Sequence, residues 1–273
     1  MNVVRGSMKI KNSLLIIFLG SFGMSDVIAR VQTTKNDTTA VIDAKPHPKY
    51  RNIIFDLGRV LIEWDPVQLI KEVFTHEKNV PTTFVEDVLD ATKTQLWLEY
   101  DKDIRTTDYI IEQLCIQNPQ LHKQHFTTFM REHKKYMNII PAGLHIFNLI
   151  KQQGYRIYIL SNMPMAVFNT LAAKYDFFKQ VDGMIISGDV KQVKPEPEIY
   201  QTLLTKYQLK PEECLFLDDK VENIEAGKAL GIDGIVCLDH AVVLQQLQDV
   251  HVIKAIDTQK VSETKTTPTV TAQ

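Results

Sequence analysis

Five short apolar runs, rich in β-branched residues, constrain this chain more than any other feature. They are Arg51-Asn52-Ile53-Ile54-Phe55, Tyr155-Arg156-Ile157-Tyr158-Ile159-Leu160, Gly183-Met184-Ile185-Ile186, Cys214-Leu215-Phe216-Leu217 and Gly234-Ile235-Val236-Cys237. Runs of this length without polar alternation have no face to give to water, so they suit strands covered on both sides in a parallel sheet. Helical patterns lie between them. Pro141 stands where a first helical residue belongs and Gly154 where a C-terminal cap belongs, with Leu144, Phe147 and Ile150 at helical spacing. Ile199, Leu203, Leu204 and Tyr207 give a second such face. Strand, helix and strand in repetition predict an α/β fold, a doubly wound parallel sheet with right-handed crossovers.

One stretch breaks the alternation. Residues 65–138 read as helix throughout, with candidates at 66–75, 83–92, 94–100, 107–116 and 119–137. That is too much helix for one crossover. The pattern predicts a helical cap over 65–138, inserted into a core of residues 49–64 and 139–256, above the strand ends where ligands of such sheets bind.

The flanks differ in character. Lys9 and Lys11 precede an apolar run from Leu14 to Met24, and Val27-Ile28-Ala29 offers a small-residue cleavage site. This is the order of a secretory signal peptide over 1–29, with Met8 an alternative start; an uncleaved N-terminal anchor is the competing reading. The run falls short of the ~20 residues a permanent span needs, so export to a periplasm is expected, without stable membrane insertion after cleavage. Residues 30–48 read as a polar linker and 257–273 as a disordered tail. A net charge of −2 gives no pull toward nucleic acid. Three cysteines without a C-x-x-C pair suggest neither disulfides nor a zinc site.

In a parallel sheet the residues just beyond the strands share one edge. Here they are Asp56, Ser161-Asn162 and Asp218-Asp219, and Lys194 follows the third run by a short loop. Carboxylates so gathered repel, by about 4 kcal/mol for a pair ~4 Å apart at an effective dielectric of 20. A hard divalent cation held through oxygen, Mg²⁺ above all, would neutralise them. A carboxylate nucleophile, a metal, a lysine and a hydroxyl are the parts of phosphoryl transfer through an aspartyl-phosphate. Each signal is weak alone; four in order at strand ends are not.

These residues resemble the motifs of the haloacid dehalogenase superfamily. Phe55-Asp56-Leu57-Gly58-Arg59-Val60-Leu61 is similar to its first motif and Leu160-Ser161-Asn162 to its second. Lys194-Pro195-Glu196-Pro197-Glu198-Ile199-Tyr200 is similar to the third, and Leu217-Asp218-Asp219 with Asn223, Ala226 and Gly231 to the fourth. The helical insert falls where that superfamily's first class of cap falls. The resemblance implies Asp56 as nucleophile and metal ligand, with a backbone carbonyl from Gly58. It implies Ser161 and Asn162 as phosphate-binding residues and Lys194 as stabiliser of the phosphoryl group. Asp218 and Asp219 would hold Mg²⁺, Asp219 the more directly, with Asn223 in support. A small phosphorylated metabolite, such as a sugar phosphate, would be the substrate.

One departure matters. Phosphatases of the superfamily mostly carry an acid–base aspartate two residues after the nucleophile, where this chain has Gly58. A glycine there resembles a subgroup that includes phosphatases acting on glucose 1-phosphate. General acid–base help is worth ~10²- to 10⁴-fold, so its loss implies a slower enzyme or a substitute. Glu63, Asp65, Asp101 and Asp103 are candidates, although each reads first as a surface or capping carboxylate. Tyr100-Asp101-Lys102-Asp103-Ile104 is similar to the cap loop that faces substrate in relatives, so Asp101 and Asp103 are also candidate substrate contacts. Lys191 stands where relatives often have glycine. Trp97 and Tyr100 read as cap packing, and His122 and His125 as a solvated helix face. Two other functions remain open: a metal-independent haloacid dehalogenase, and a binding module that lost turnover with the acid–base residue.

Overall fold

A computed structural model describes residues 49–77 and 79–254. The expected signal, linker and tail lie outside the described residues. The strands β1 (Asn52–Phe55), β2 (Arg156–Ser161), β3 (Gly183–Ile186), β4 (Cys214–Asp218) and β5 (Asp233–Val236) fall within a residue or so of the apolar runs. They form one parallel sheet in the order β3-β2-β1-β4-β5. Phe55, the last residue of β1, pairs with Ile159 on one side and Leu217 on the other. The strand order reverses beside β1, which opens a crevice at that strand's C-terminal end.

Between β1 and β2 run α1 (Pro66–Val73), α2 (Phe84–Ala91), α3 (Gln95–Asp101), α4 (Thr107–Gln117) and α5 (Lys123–Glu132). The last of these differs from its expectation of 119–137. Pro119 disfavours helical backbone at Asn118, so α4 ends there and α5 starts only at Lys123. Beyond Glu132 the chain tightens into a 3₁₀ turn, His133–Lys135. Side-chain caps mark the starts of α1 and α3. Asp65 accepts from the N–H groups of Val67 and Gln68 ahead of Pro66, and the Thr94 hydroxyl accepts from Trp97 N–H.

The remaining helices are α6 (Pro141–Gln152), α7 (Met165–Lys174), α8 (Ser187–Val190), α9 (Pro197–Tyr207), α10 (Val221–Ala229) and α11 (His240–Asp249). They cover both faces of the sheet, and neighbouring strand residues alternate between the two sides. Ile53, Phe55, Ile157, Ile159, Leu215 and Leu217 pack in the cluster that includes α6, α11 and the interior of the inserted helices. Ile54, Tyr158, Leu160 and Phe216 pack with Ile199, Tyr200, Leu203 and Ile224. Gly154 has φ +83°, the left-handed conformation expected of a residue closing α6. Gly143 has a different reason: a Cβ there would lie 2.0 Å from the Val60 carbonyl oxygen. That carbonyl also accepts from His240 Nε2 at 2.8 Å, so α6 and α11 together fix the loop after β1.

The inserted helices leave and rejoin the core side by side. Ile62 and Ile139 form an antiparallel bridge, with Glu63 N–H on Asn138 O at 2.7 Å and Ile140 N–H on Leu61 O at 2.9 Å. Lys174 and Tyr175 from the end of α7 both donate to Met137 O, at 3.2 and 3.0 Å. Cys214 and Cys237 are buried and Cys115 half-buried, all as free thiols. No helix of the described residues is long and apolar enough to cross a membrane.

Candidate active site

The strand ends bring the expected residues together. Asp56 follows β1 directly, its N–H held by Leu217 O of β4, and the residue is 6% exposed. Lys194 reaches it from the loop before α9: Nζ lies 2.7 Å from Asp56 Oδ1 and 2.6 Å from Asp218 Oδ2. Burial alone would lower the Lys194 ammonium, but Asp218 and Asp56 outweigh it and hold the lysine above its ordinary value. Burial pushes the Asp56 carboxyl up to about 6, with Lys194 opposing and Asp218 reinforcing the rise. Asp219 is raised too, by burial first and then by Asp218.

The two adjacent aspartates have different occupations. Asp218 is fully buried, and both its oxygens are engaged: Oδ1 accepts from Lys220 N–H and Asn223 Nδ2 at 2.8 Å each, and Oδ2 from Lys194. Asn223 is held in turn, its carbonyl accepting from Tyr200 Oη at 2.9 Å. Asp219 makes one ion pair among the described residues, with Arg59 at 3.8 Å. Asp56, Asp218 and Asp219 each bring one carboxylate oxygen within 4.8 Å of the others. Lys194 and Arg59 against three carboxylates still leave negative charge in excess, so the donor set fits a divalent, oxygen-preferring cation.

The phosphate-binding expectations divide. Ser161, 1% exposed, ends β2 beside Asp56 and lines the same cavity. Asn162 holds Lys194 instead: its Oδ1 accepts Lys194 N–H at 2.8 Å and its Nδ2 donates to Lys194 O at 2.9 Å. The donors at the start of α7 are also engaged. Met163 N–H binds Ser187 Oγ, and Met165 N–H binds Asp103 Oδ2 at 2.9 Å.

Asp103 therefore corrects the expectation of a substrate contact. It sits in left-handed backbone (φ +53°) and closes the N-terminus of α7 from across the inserted segment. Its neighbours latch the same loop to the core. Lys102 pairs with Glu196 at 2.7 Å, and the Asp101 carbonyl accepts from Ser187 Oγ at 2.6 Å. Lys191 also has left-handed backbone, the conformation glycine adopts without strain, and its Nζ donates to the carbonyls of Gly188 and Asp103.

A cavity of about 440 Å³ joins these parts, with Asp56, Ser161, Lys194 and Asp219 on the core side. The inserted helices contribute Trp97, Tyr100, Asp101 and His133. Trp97 and Tyr100 are packed as expected, 5.4 Å apart between ring centroids, yet they also wall the cavity. Burial pushes the Asp101 carboxyl up to about 7, against the pull of Lys220 and Lys194. His133 carried no signal in the sequence, because His133-Lys134-Lys135 looks like a solvated helix end. It is 1% exposed; burial lowers its imidazole to about 4 while Nδ1 donates to Phe129 O at 3.0 Å. A second cavity of about 580 Å³ adjoins the first through Arg59, Trp64 and Asp219.

His125 is a second correction. One turn before Phe129 on α5, it faces inward, 6% exposed between Phe74 and Phe84. Its Nε2 lies 2.9 Å from Glu77 Oε1 and its Nδ1 2.6 Å from His122 Nδ1. Only His122 is exposed.

A parallel sheet with an aspartate directly after its first strand, a lysine and paired aspartates under a helical cap defines a class of α/β hydrolases. Residues 19–231 match the haloacid dehalogenase-like hydrolases, and the chain belongs to that family. It is similar to a sesquiterpene phosphatase of Aspergillus oryzae, 24% identical over 199 residues, 73% of this chain and 95% of that one. It is also similar to the pyrophosphatase PpaX of Bacillus cereus, 26% identical over 189 residues, covering 67% and 81%. In fold it resembles a HAD family enzyme of Bacteroides thetaiotaomicron solved with magnesium and inorganic phosphate. The TM-score is 0.52 at 19% identity, over 68% of this chain and 93% of that one. The protein is a hydrolase of the phosphatase kind.

Proposed function

We propose that the protein is a Mg²⁺-dependent phosphatase acting on a small phosphomonoester, a sugar phosphate being the substrate class, with Asp56 as nucleophile. The observation that carries this reading is the Lys194 ammonium held between Asp56 and Asp218, with Asp219 alongside. Lys194 fixes one Asp56 oxygen, which leaves Oδ2 to attack phosphorus. As the Asp56–phosphorus bond forms, the ester oxygen departs; water then attacks the aspartyl-phosphate and restores the carboxylate. Lys194 and the Ser161 hydroxyl hold the phosphoryl oxygens in both steps. Asn162 and Asn223 position Lys194 and Asp218.

The metal would rest on Asp56, Asp219 and the Gly58 carbonyl, with Asp218 behind them. When bound it neutralises charge on the phosphoryl oxygens and orients them. The cavity suits a small substrate, and Trp97 and Tyr100 offer aromatic walls to the apolar face of a sugar ring. Export rests on the N-terminal pattern alone, and the mass of the chain purified from a periplasmic extract tests it.

The test of the activity is phosphate release from a panel of phosphomonoesters, with and without Mg²⁺. Magnesium-dependent release that Asp56→Asn abolishes is expected. Halide release without metal, or metal binding without turnover, would overturn the reading.

A further inference from the structure

Gly58 leaves the reaction without an acid–base group on the loop after β1, so a proton donor must come from elsewhere around the cavity. Four acids border that cavity: Asp56, Asp101, Asp219 and Glu222. Asp56 is paired with Lys194, and Asp219 faces Arg59. Glu222 is exposed in the first turn of α10. The alternatives nearby are occupied: Asp65 caps α1, Asp103 caps α7, and Glu63 borders the adjoining cavity instead. His133 is neutral, with its Nδ1 proton committed to Phe129 O, and has no proton to give at neutral pH.

Asp101 differs from all of these. Its main chain is fixed, because the carbonyl accepts from the buried Ser187 hydroxyl. Its carboxylate has no hydrogen-bond or ion-pair partner among the described residues. A half-buried carboxylate on a pinned backbone, left unpartnered in the wall of a reaction cavity, is poorly explained by stability, since a carboxylate drawn out of water is ordinarily paired.

We propose that Asp101, carried on the inserted helices, is the general acid and base of this enzyme and supplies from above what Gly58 lacks below. The inference rests on the phosphatase reading and deepens it. In the first step the protonated Asp101 gives its proton to the ester oxygen as the bond from that oxygen to phosphorus breaks. In the second, the Asp101 carboxylate takes a proton from water as the water oxygen bonds to phosphorus and Asp56 leaves. Proton and electron pairs balance over the cycle, and Asp101 returns to its protonated state. Its surroundings suit both roles. Lys220 and Lys194 favour the carboxylate, while burial and Asp56 favour the acid, so the two forms exchange near neutral pH. Ser187 is a positioning residue: the same Oγ that holds Asp101 O at 2.6 Å accepts from Met163 N–H at 2.8 Å, two residues past Ser161.

The test compares wild type, Asp101→Asn and Asp103→Asn with Mg²⁺ on aryl and alkyl phosphates of graded leaving-group basicity. A leaving group such as 4-nitrophenolate departs without a proton, whereas an alkoxide does not. For Asp101→Asn, kcat/KM on alkyl esters should fall by ~10²- to 10⁴-fold and on 4-nitrophenyl phosphate by less than about tenfold. On the aryl ester its kcat should fall, with a burst of about one nitrophenolate per enzyme as the aspartyl-phosphate accumulates. The descent of wild-type alkyl-ester kcat/KM on the alkaline side should disappear in this variant. Asp103→Asn, which alters the same loop without touching the cavity acid, should lower all esters alike. A loss in Asp101→Asn that ignores leaving-group basicity, or the same selectivity in Asp103→Asn, overturns the inference while leaving the phosphatase reading intact. A wild-type protein inactive on every ester overturns both.

Discussion

Asp56→Asn offers a test in which stability and activity move in opposite directions. Raising a carboxyl from 3.8 to about 6 makes its ionised form about 3 kcal/mol less stable in the folded chain than in the unfolded one. Between these two values the folded state binds more protons than the unfolded state. The stability contributed by Asp56 therefore falls as pH rises through that window, and the loss is complete above about 6. Asparagine mimics the protonated acid at the same volume. In a chelator at pH 8 the variant should thus unfold about 3 kcal/mol harder than wild type, and near pH 3.5 the two should agree. Added Mg²⁺ should narrow the gap, because it stabilises the wild-type carboxylates more. Urea unfolding followed by circular dichroism at the two pH values, with and without Mg²⁺, reads each quantity, and phosphate release reads the lost turnover. If the variant is the less stable at pH 8, the ion pair with Lys194 outweighs burial, and this account of the site is wrong.

Three further substitutions test separate parts. Lys194→Met leaves Asp56 and Asp218 without their buried cation and should cost about 3–5 kcal/mol in chelator, measured by urea unfolding, with part recovered by Mg²⁺. Gly58→Asp should fold, because a Cβ there meets only Trp64 Cβ at 3.7 Å and Asp56 Oδ2 at 3.9 Å. It should raise alkyl-phosphate hydrolysis on the order of tenfold in the Asp101→Asn background, and a further loss in that assay would mean the space beside Trp64 is committed. Gly143→Ala places a Cβ against the Val60 carbonyl and should lower stability by about 3 kcal/mol or more, seen as a fallen melting temperature.

Sheet, crossovers and the gathering of polar residues at the strand ends were legible because each depends on residues close in sequence. Ile53-Ile54-Phe55 must be covered on both faces wherever it lies, and Asp56 follows it whatever the rest does. Lys194 and Asp218 could be assigned to one crevice because strand direction alone determines which edge they share. Contacts across the chain were not legible. Asp103 reads as a surface or capping carboxylate, but the helix it caps is not known until α7 is placed beside it, and Ser187 carries no signal until Asp101 and Met163 arrive on either side. His125 looked solvated because histidine carries no hydrophobic signal, although its spacing to Phe129 put it on the buried face. The choice among Glu63, Asp65, Asp101 and Asp103 turned on which carboxylates other groups already occupied, a three-dimensional property.

The antiparallel bridge between Ile62 and Ile139 bears on how such an enzyme diversifies. To the sheet, everything between these residues is a single loop whose ends are already tied together. Loop-closure entropy rises by only about 0.6 kcal/mol for each doubling of length, so the sheet registers little of what the loop contains. Helices between the tied ends can be lengthened, exchanged or re-sequenced while Asp56, Lys194 and the paired aspartates keep their geometry. The Asp101–Asp103 latch and the bonds from Lys174 and Tyr175 to Met137 must then be re-established, and they couple an exchangeable cassette to a fixed centre.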